Sequence, residues 1–269
     1  MLKKRLIFSL LFQDGTIQLS RNFSLQAVGN LDWLYSHYDF DSMSTSIDEL
    51  VLLNVGRTTK KVTEFAATIS SISKKCFMPI AAGGGIGCMD DAYRILDAGA
   101  DKLIVNTALF NDPKLVAAMV KVFGSQCVVA SIDYKYINSL DEVLTANGMR
   151  KTGLTVEGAV SNAEKMGVGE IYLTSIERDG TGQGYDLAML RRVVNLCQVP
   201  VIASGGVGDF EHLVSGMQIE NVTGASTANI FNFVGDGFAE ARNHIDKCNI
   251  ELASWDFGIL KNKYIQPST

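Results

Sequence analysis

Two glycine-rich turns carry the plainest chemical signal in this chain. Ala81-Ala82-Gly83-Gly84-Gly85-Ile86-Gly87 and Ala203-Ser204-Gly205-Gly206-Val207-Gly208 each close a short apolar run. Glycine lets the backbone bend sharply and brings its N–H groups close to an oxyanion. Taken singly, either motif could be no more than a tight turn. They recur at an offset of 121 residues, and each has a polar partner one apolar run later: Asn106-Thr107 for the first, Ala228-Asn229 for the second. Asp179-Gly180-Thr181-Gly182 adds small, turn-forming donors beside the second turn. Two opposed phosphate sites suit a small molecule with a phosphate at each end. Asp133 ends another apolar run, where a carboxylate serves either as a proton donor or acceptor or as an anchor for loop backbone.

Elements of the right kind must carry these turns. Short apolar, β-branched runs fall at Arg5–Leu11, Glu49–Asn54, Met78–Ala82, Lys102–Asn106, Cys127–Asp133, Glu170–Ser175, Pro200–Ser204 and Val222–Thr227. Helix-period segments separate them, as in Asp112–Val122 and Val156–Met166. Near-continuous apolar strands alternating with helices imply a parallel sheet buried on both faces. Eight units predict a single closed (β/α)8 barrel, with a doubly wound open sheet as the alternative. An internal repeat favours the barrel. Glu49–Asn54 matches Glu170–Ser175 at the same offset of 121, and Asn106 matches Asn229 at 123. Two four-strand halves would place both turns at the C-terminal face, where phosphate sites of this fold collect. The barrel is expected over residues 1–257, with a tail at 258–269.

Composition narrows the function. A net charge of −5 offers no global attraction to nucleic acid, so an anion must be bound locally. No apolar run reaches the roughly 18 residues of a membrane helix, and the apolar start stops at Gln13-Asp14-Gly15 without a small-residue cleavage site. Five scattered cysteines read as reduced thiols of a cytoplasmic protein. The histidines, His37, His212 and His244, lack metal-ligand spacing. Neither metal nor other cofactor is expected.

Taken together, Lys4-Arg5, Asp48-Glu49-Leu50-Val51, Gly83-Gly84-Gly85-Ile86, Gly99-Ala100-Asp101-Lys102, Phe123-Gly124-Ser125-Gln126, Ser131-Ile132-Asp133, Thr174-Ser175-Ile176-Glu177-Arg178-Asp179-Gly180-Thr181 and Ala203-Ser204-Gly205-Gly206 resemble the cyclase subunit of imidazole glycerol phosphate synthase up to about residue 245. The resemblance implies a duplicated half-barrel, a glutaminase partner and ammonia travelling along the barrel axis to a doubly phosphorylated substrate. It assigns Arg5, Glu49, Lys102 and Glu170 to a charged gate at the ammonia entrance. It assigns Asp101 to docking of the glutaminase, and Asp133 to one of two catalytic aspartates.

The mouth departs from that pattern. The second catalytic aspartate falls at Leu11, a loop lysine at Leu19 and a further aspartate at Asn54. Leucine cannot transfer a proton, and losing a positioned acid–base group costs about 10²–10⁴-fold in rate. A kept entrance beside a changed centre is similar to a divergent branch associated with surface polysaccharides. That branch implies ammonia supply to a separate sugar amidotransferase. A genuine cyclase of histidine biosynthesis and a non-enzymatic phosphate-binding scaffold stand as alternatives.

Overall fold

The computed structural model describes residues 3–56, 61–228 and 235–253, except for the side chains of Asp41 and Ser42. Eight parallel strands close on one another: β1 (Arg5–Gln13), β4 (Glu49–Asn54), β5 (Ile80–Gly83), β6 (Lys102–Val105), β7 (Val128–Ile137), β10 (Glu170–Ser175), β11 (Val201–Ser204) and β12 (Val222–Thr227). The seam is the parallel pairing of β1 with β12. The (β/α)8 barrel is therefore closed, and the open-sheet alternative falls.

The remaining four strands are additions that the apolar pattern had not separated. β2 (Thr16–Arg21) and β3 (Ser24–Gly29) form a hairpin on the end of β1, while β8 (Leu140–Thr145) and β9 (Arg150–Lys151) do the same on β7. The turn chemistry is local. Asp14 and Gly15 both take positive φ, 49° and 76°, as a two-residue hairpin loop requires. Because β1 and β7 open the two halves, the hairpins repeat the duplication.

Helices sheathe the strands and begin where a side chain can satisfy a free backbone N–H. Asp112, Thr155, Asp186 and Asp209 cap α6 (Pro113–Phe123), α7 (Val156–Lys165), α8 (Leu187–Val194) and α9 (Phe210–Met217). The duplication reaches the helix entries. Gly87 N–H donates to Asp91 Oδ2 at 2.9 Å ahead of α4 (Met89–Asp97), and Gly208 N–H donates to His212 Nδ1 at 3.1 Å ahead of α9. One apolar cluster lies between strands and helices. A second, of Ile7, Val51, Ala81, Ile104, Val129, Tyr172 and Ile202, fills the bore. Such side chains pack the interior of a barrel of this kind in layers.

Candidate functional site

At the strand starts, four charges close a ring. Arg5 bonds Glu49 on one side and Glu170 on the other. Lys102 Nζ reaches Glu49 Oε2 at 3.0 Å and Glu170 Oε2 at 3.3 Å. The signs alternate, so each carboxylate meets two cations. Burial is the largest single influence on Arg5 and opposes its charge, but the two glutamates outweigh it and hold the guanidinium above its ordinary range. Thr223 on β12 completes the ring, accepting from Arg5 at 3.2 Å and donating to Glu170 at 3.3 Å. Thr223 carries no charge and went unsingled in the sequence. Asp101 lies at the same end, exposed, its carboxylate accepting from Ile80 N–H at 2.8 Å.

At the strand ends a cavity of about 360 Å³ opens, bordered by Leu11, Leu53, Asn54, Gly84, Gly85, Asn106, Thr107, Asp133, Asp179 and Ala228, among others. Gly84 has φ +104°, and a Cβ there would meet Asn54 O at 2.2 Å, so only glycine permits this turn. Asn106 donates through Nδ2 to Ser131 O at 3.0 Å and to Asp133 Oδ2 at 3.1 Å. Ser131 Oγ adds a longer bond to Asp133 Oδ1 at 3.4 Å. Asn106, expected beside a phosphate, thus also holds the candidate acid–base group in place. Asn54 takes a local role, its Oδ1 accepting from Gly56 N–H at 3.1 Å.

An adjoining pocket of about 260 Å³ gathers Gly180, Gly205, Gly206, Ala228 and Leu19. It shares Ser20, Asp179, Ser204 and Ala228 with the main cavity, so the two glycine turns do meet at one mouth. Two expectations for the loop after β10 narrow here. The Asp179 carboxylate is directed to the β2–β3 hairpin, accepting from Ser20 Oγ at 2.5 Å and Phe23 N–H at 3.1 Å. Burial, the largest influence, raises Asp179 above the ordinary aspartate range despite those bonds. Thr181 donates its hydroxyl to Arg178 O at 2.7 Å, inside its own turn. The Asp179 carboxylate is thus engaged with the hairpin and the Thr181 hydroxyl with its own loop, while Gly180 borders the pocket. Arg21, two residues beyond Leu19 on β2, borders the same pocket and brings a cation that the sequence reading had not picked out. Asn229 and the tail at 258–269 lie outside the described residues.

Among the described residues no group of histidine, cysteine, aspartate or glutamate is arranged to hold a metal ion. No described helix is long and apolar enough to cross a membrane.

Residues 37–235 match the model of a family described as histidine biosynthesis protein. A protein of Parasynechococcus marenigrum (strain WH8102), provisionally named imidazole glycerol phosphate synthase subunit hisF2, is 37% identical over 95% of this chain and 95% of its own length. Imidazole glycerol phosphate synthase subunit HisF of Streptococcus mutans is 36% identical over 94% of this chain and 100% of its own. Its counterpart in Streptococcus sanguinis is 35% identical over 94% and 99%.

Proposed function

From the membership of this chain in the histidine biosynthesis protein family, as a homologue of the imidazole glycerol phosphate synthase subunit HisF, we propose that it is the synthase subunit of a glutamine amidotransferase that conducts ammonia and has little cyclase turnover of its own. The observation that carries the reading is the closed Arg5–Glu49–Lys102–Glu170 ring at the strand starts. A ring of alternating charge neutralises itself while stopping a polar pore, and it opens by exchanging partners rather than by leaving a charge bare. A glutaminase subunit docks at this face. Asp101 lies there, as do Phe77 and Leu196, on the loops entering β5 and β11 and 68% and 58% exposed.

At the other end the pocket takes a phosphorylated small molecule. Gly84, Gly85 and Thr107 grip one phosphate, and Gly205, Gly206, Gly180 and Ala228 the other, with Arg21 as its cation. Asp133, held by Asn106 and Ser131, faces the ligand as acid or base. Leu11 and Leu53 line the same cavity with apolar carbon, so the proton exchange that needs two groups has one. We assign the final nitrogen acceptor to a surface-polysaccharide sugar amidinated by a separate enzyme; the joint departures at Leu11, Leu19 and Asn54 support this.

Asp133 favours a second reading, a working cyclase of histidine biosynthesis with a single carboxylate. Co-purification with the organism's glutaminase subunit separates the two. The conducting subunit forms a complex and raises glutamine hydrolysis, while cyclase turnover stays about 10²–10⁴-fold below that of the HisF relatives. Turnover equal to the relatives selects the second reading. Absence of a complex overturns conduction.

A further inference from the structure

Four hydroxyls from four adjacent barrel strands meet inside the barrel beside the main cavity. Ser9 Oγ on β1 lies 2.9 Å from Tyr172 Oη on β10 and 2.7 Å from Ser226 Oγ on β12. Tyr172 Oη and Ser226 Oγ are 2.9 Å apart, and Ser204 Oγ on β11 donates to Tyr172 Oη at 3.0 Å. Ser9, Tyr172 and Ser226 are buried, while Ser204 is half-buried. A buried hydroxyl costs about 1–3 kcal/mol unless it is bonded, and here each of the four finds a partner within the cluster. Ile7, Val51, Ala81, Ile104, Val129 and Ile202 form one apolar cluster with Tyr172 in the bore.

The position is on the axis. Glu170, Tyr172 and Thr174 alternate along one face of β10, running from the charged ring to the mouth, and Thr174 pairs with Asp133. The hydroxyls therefore occupy the step between ring and carboxylate. Proton counting describes what they offer. Four O–H groups serve four contacts, so the donors are taken up within the cluster and unused lone pairs remain. Ser9, Tyr172 and Ser204 also border the cavity. The cluster presents neutral acceptor oxygens and no formal charge, which suits a small uncharged molecule with several N–H donors.

We propose that Ser9, Tyr172, Ser204 and Ser226 form a binding station for neutral ammonia between the charged ring and Asp133. The identity of the ligand rests on the ammonia reading above; the station itself is new. Burial raises the Tyr172 phenol above its ordinary range, against the hydrogen bonds it shares with Ser204, Ser226 and Ser9.

The test uses the free chain with ¹³C at the phenolic carbon of tyrosine. Ammonium chloride is titrated at a pH where ammonia is largely uncharged, with sodium chloride at equal ionic strength as the control, and Tyr172→Phe assigns the Tyr172 resonance. The station predicts a saturable shift of that resonance with ammonia alone. Ser204→Ala and Ser226→Ala each weaken it by up to about tenfold, the worth of one hydrogen bond. A Tyr172 resonance that ignores ammonia, or a shift unchanged in both serine variants, overturns the station. Ammonia reaches the cluster from the open mouth in this experiment, so the result depends on neither the ring nor a partner. A failed glutaminase complex with an intact ammonia shift would sink the ring reading alone.

Discussion

Leu11 and Asp133 stand at equivalent points of the two halves. Leu11 pairs with Leu53 and Asp133 with Thr174, and Leu53 and Thr174 are themselves 121 residues apart. The duplicated frame thus brings two side chains to one cavity, one apolar and one a carboxylate. Leu11→Asp returns a carboxylate to the mouth. Cyclase turnover is expected to rise without reaching that of the HisF relatives, because Leu19 and Asn54 also differ from the catalytic pattern. Full turnover from this single change, measured with the cyclase substrate, would show that those two positions weigh nothing. Asp179 makes a prediction of another kind. Its folded value lies above its unfolded one, so its contribution to stability is complete below the unfolded value and is lost as pH rises through the folded value. Asp179→Asn keeps the size and removes the titration. Urea unfolding across the acidic range should show a flatter pH profile for the variant than for the wild type.

The β2–β3 hairpin is the element that completes the second pocket, and its seat is specific. Asn22 N–H donates to Asp179 O at 2.9 Å, and Asn22 Nδ2 donates to Glu177 O at 2.8 Å. Gly180 has φ +67°, and a Cβ on it would lie 2.1 Å from Ser20 O. The obstacle is hairpin backbone, which cannot swing aside as a side-chain tip would. Gly180→Ala should therefore unseat the hairpin at a cost of about 1–3 kcal/mol. Faster proteolysis between Arg21 and Ser24, with weaker binding of a doubly phosphorylated ligand, would report it. Unchanged proteolysis would mean that the loop after β10 can shift as a unit. Without Gly180 and the carboxylate before it, the hairpin would be an ordinary excursion from β1.

At the scale of the molecule, the charged ring ties β1, β4, β6 and β10 across the bore, far apart in sequence and not all neighbours in the sheet. Glu49 is only 2% exposed, so removing a cation leaves a buried carboxylate short of a partner. Breaking a buried pair in this way costs about 3–5 kcal/mol, whereas exposed pairs are worth about 0–1. Arg5→Met should lower the free energy of unfolding on the larger scale, measured by urea unfolding. In the proposed complex with a glutaminase it should also uncouple glutamine hydrolysis from the state of the barrel. A loss under about 1 kcal/mol would place the ring among solvent-screened surface pairs.

Much of this was open to sequence reading because it depends on local rules. The eight parallel strands follow from apolar runs of strand length spaced by helical segments, and the two glycine turns follow from a repeat whose offset holds across strand, turn and helix entry. The excursions after β1 and β7 were missed because each begins at a two-residue turn, Asp14-Gly15 and Asn138-Ser139, inside or just past an apolar run. Roles made by distant partners were not legible either. The bonds of the Asp179 carboxylate to Ser20 and Phe23 join residues far apart in the chain, and Thr223 and Arg21 carried no motif. Serines 9, 204 and 226 are unremarkable in their strands; closure of β12 on β1 brings them to Tyr172. Which elements form was determined by period and propensity along the chain, while which side chains share a proton or a charge was decided only when the barrel closed.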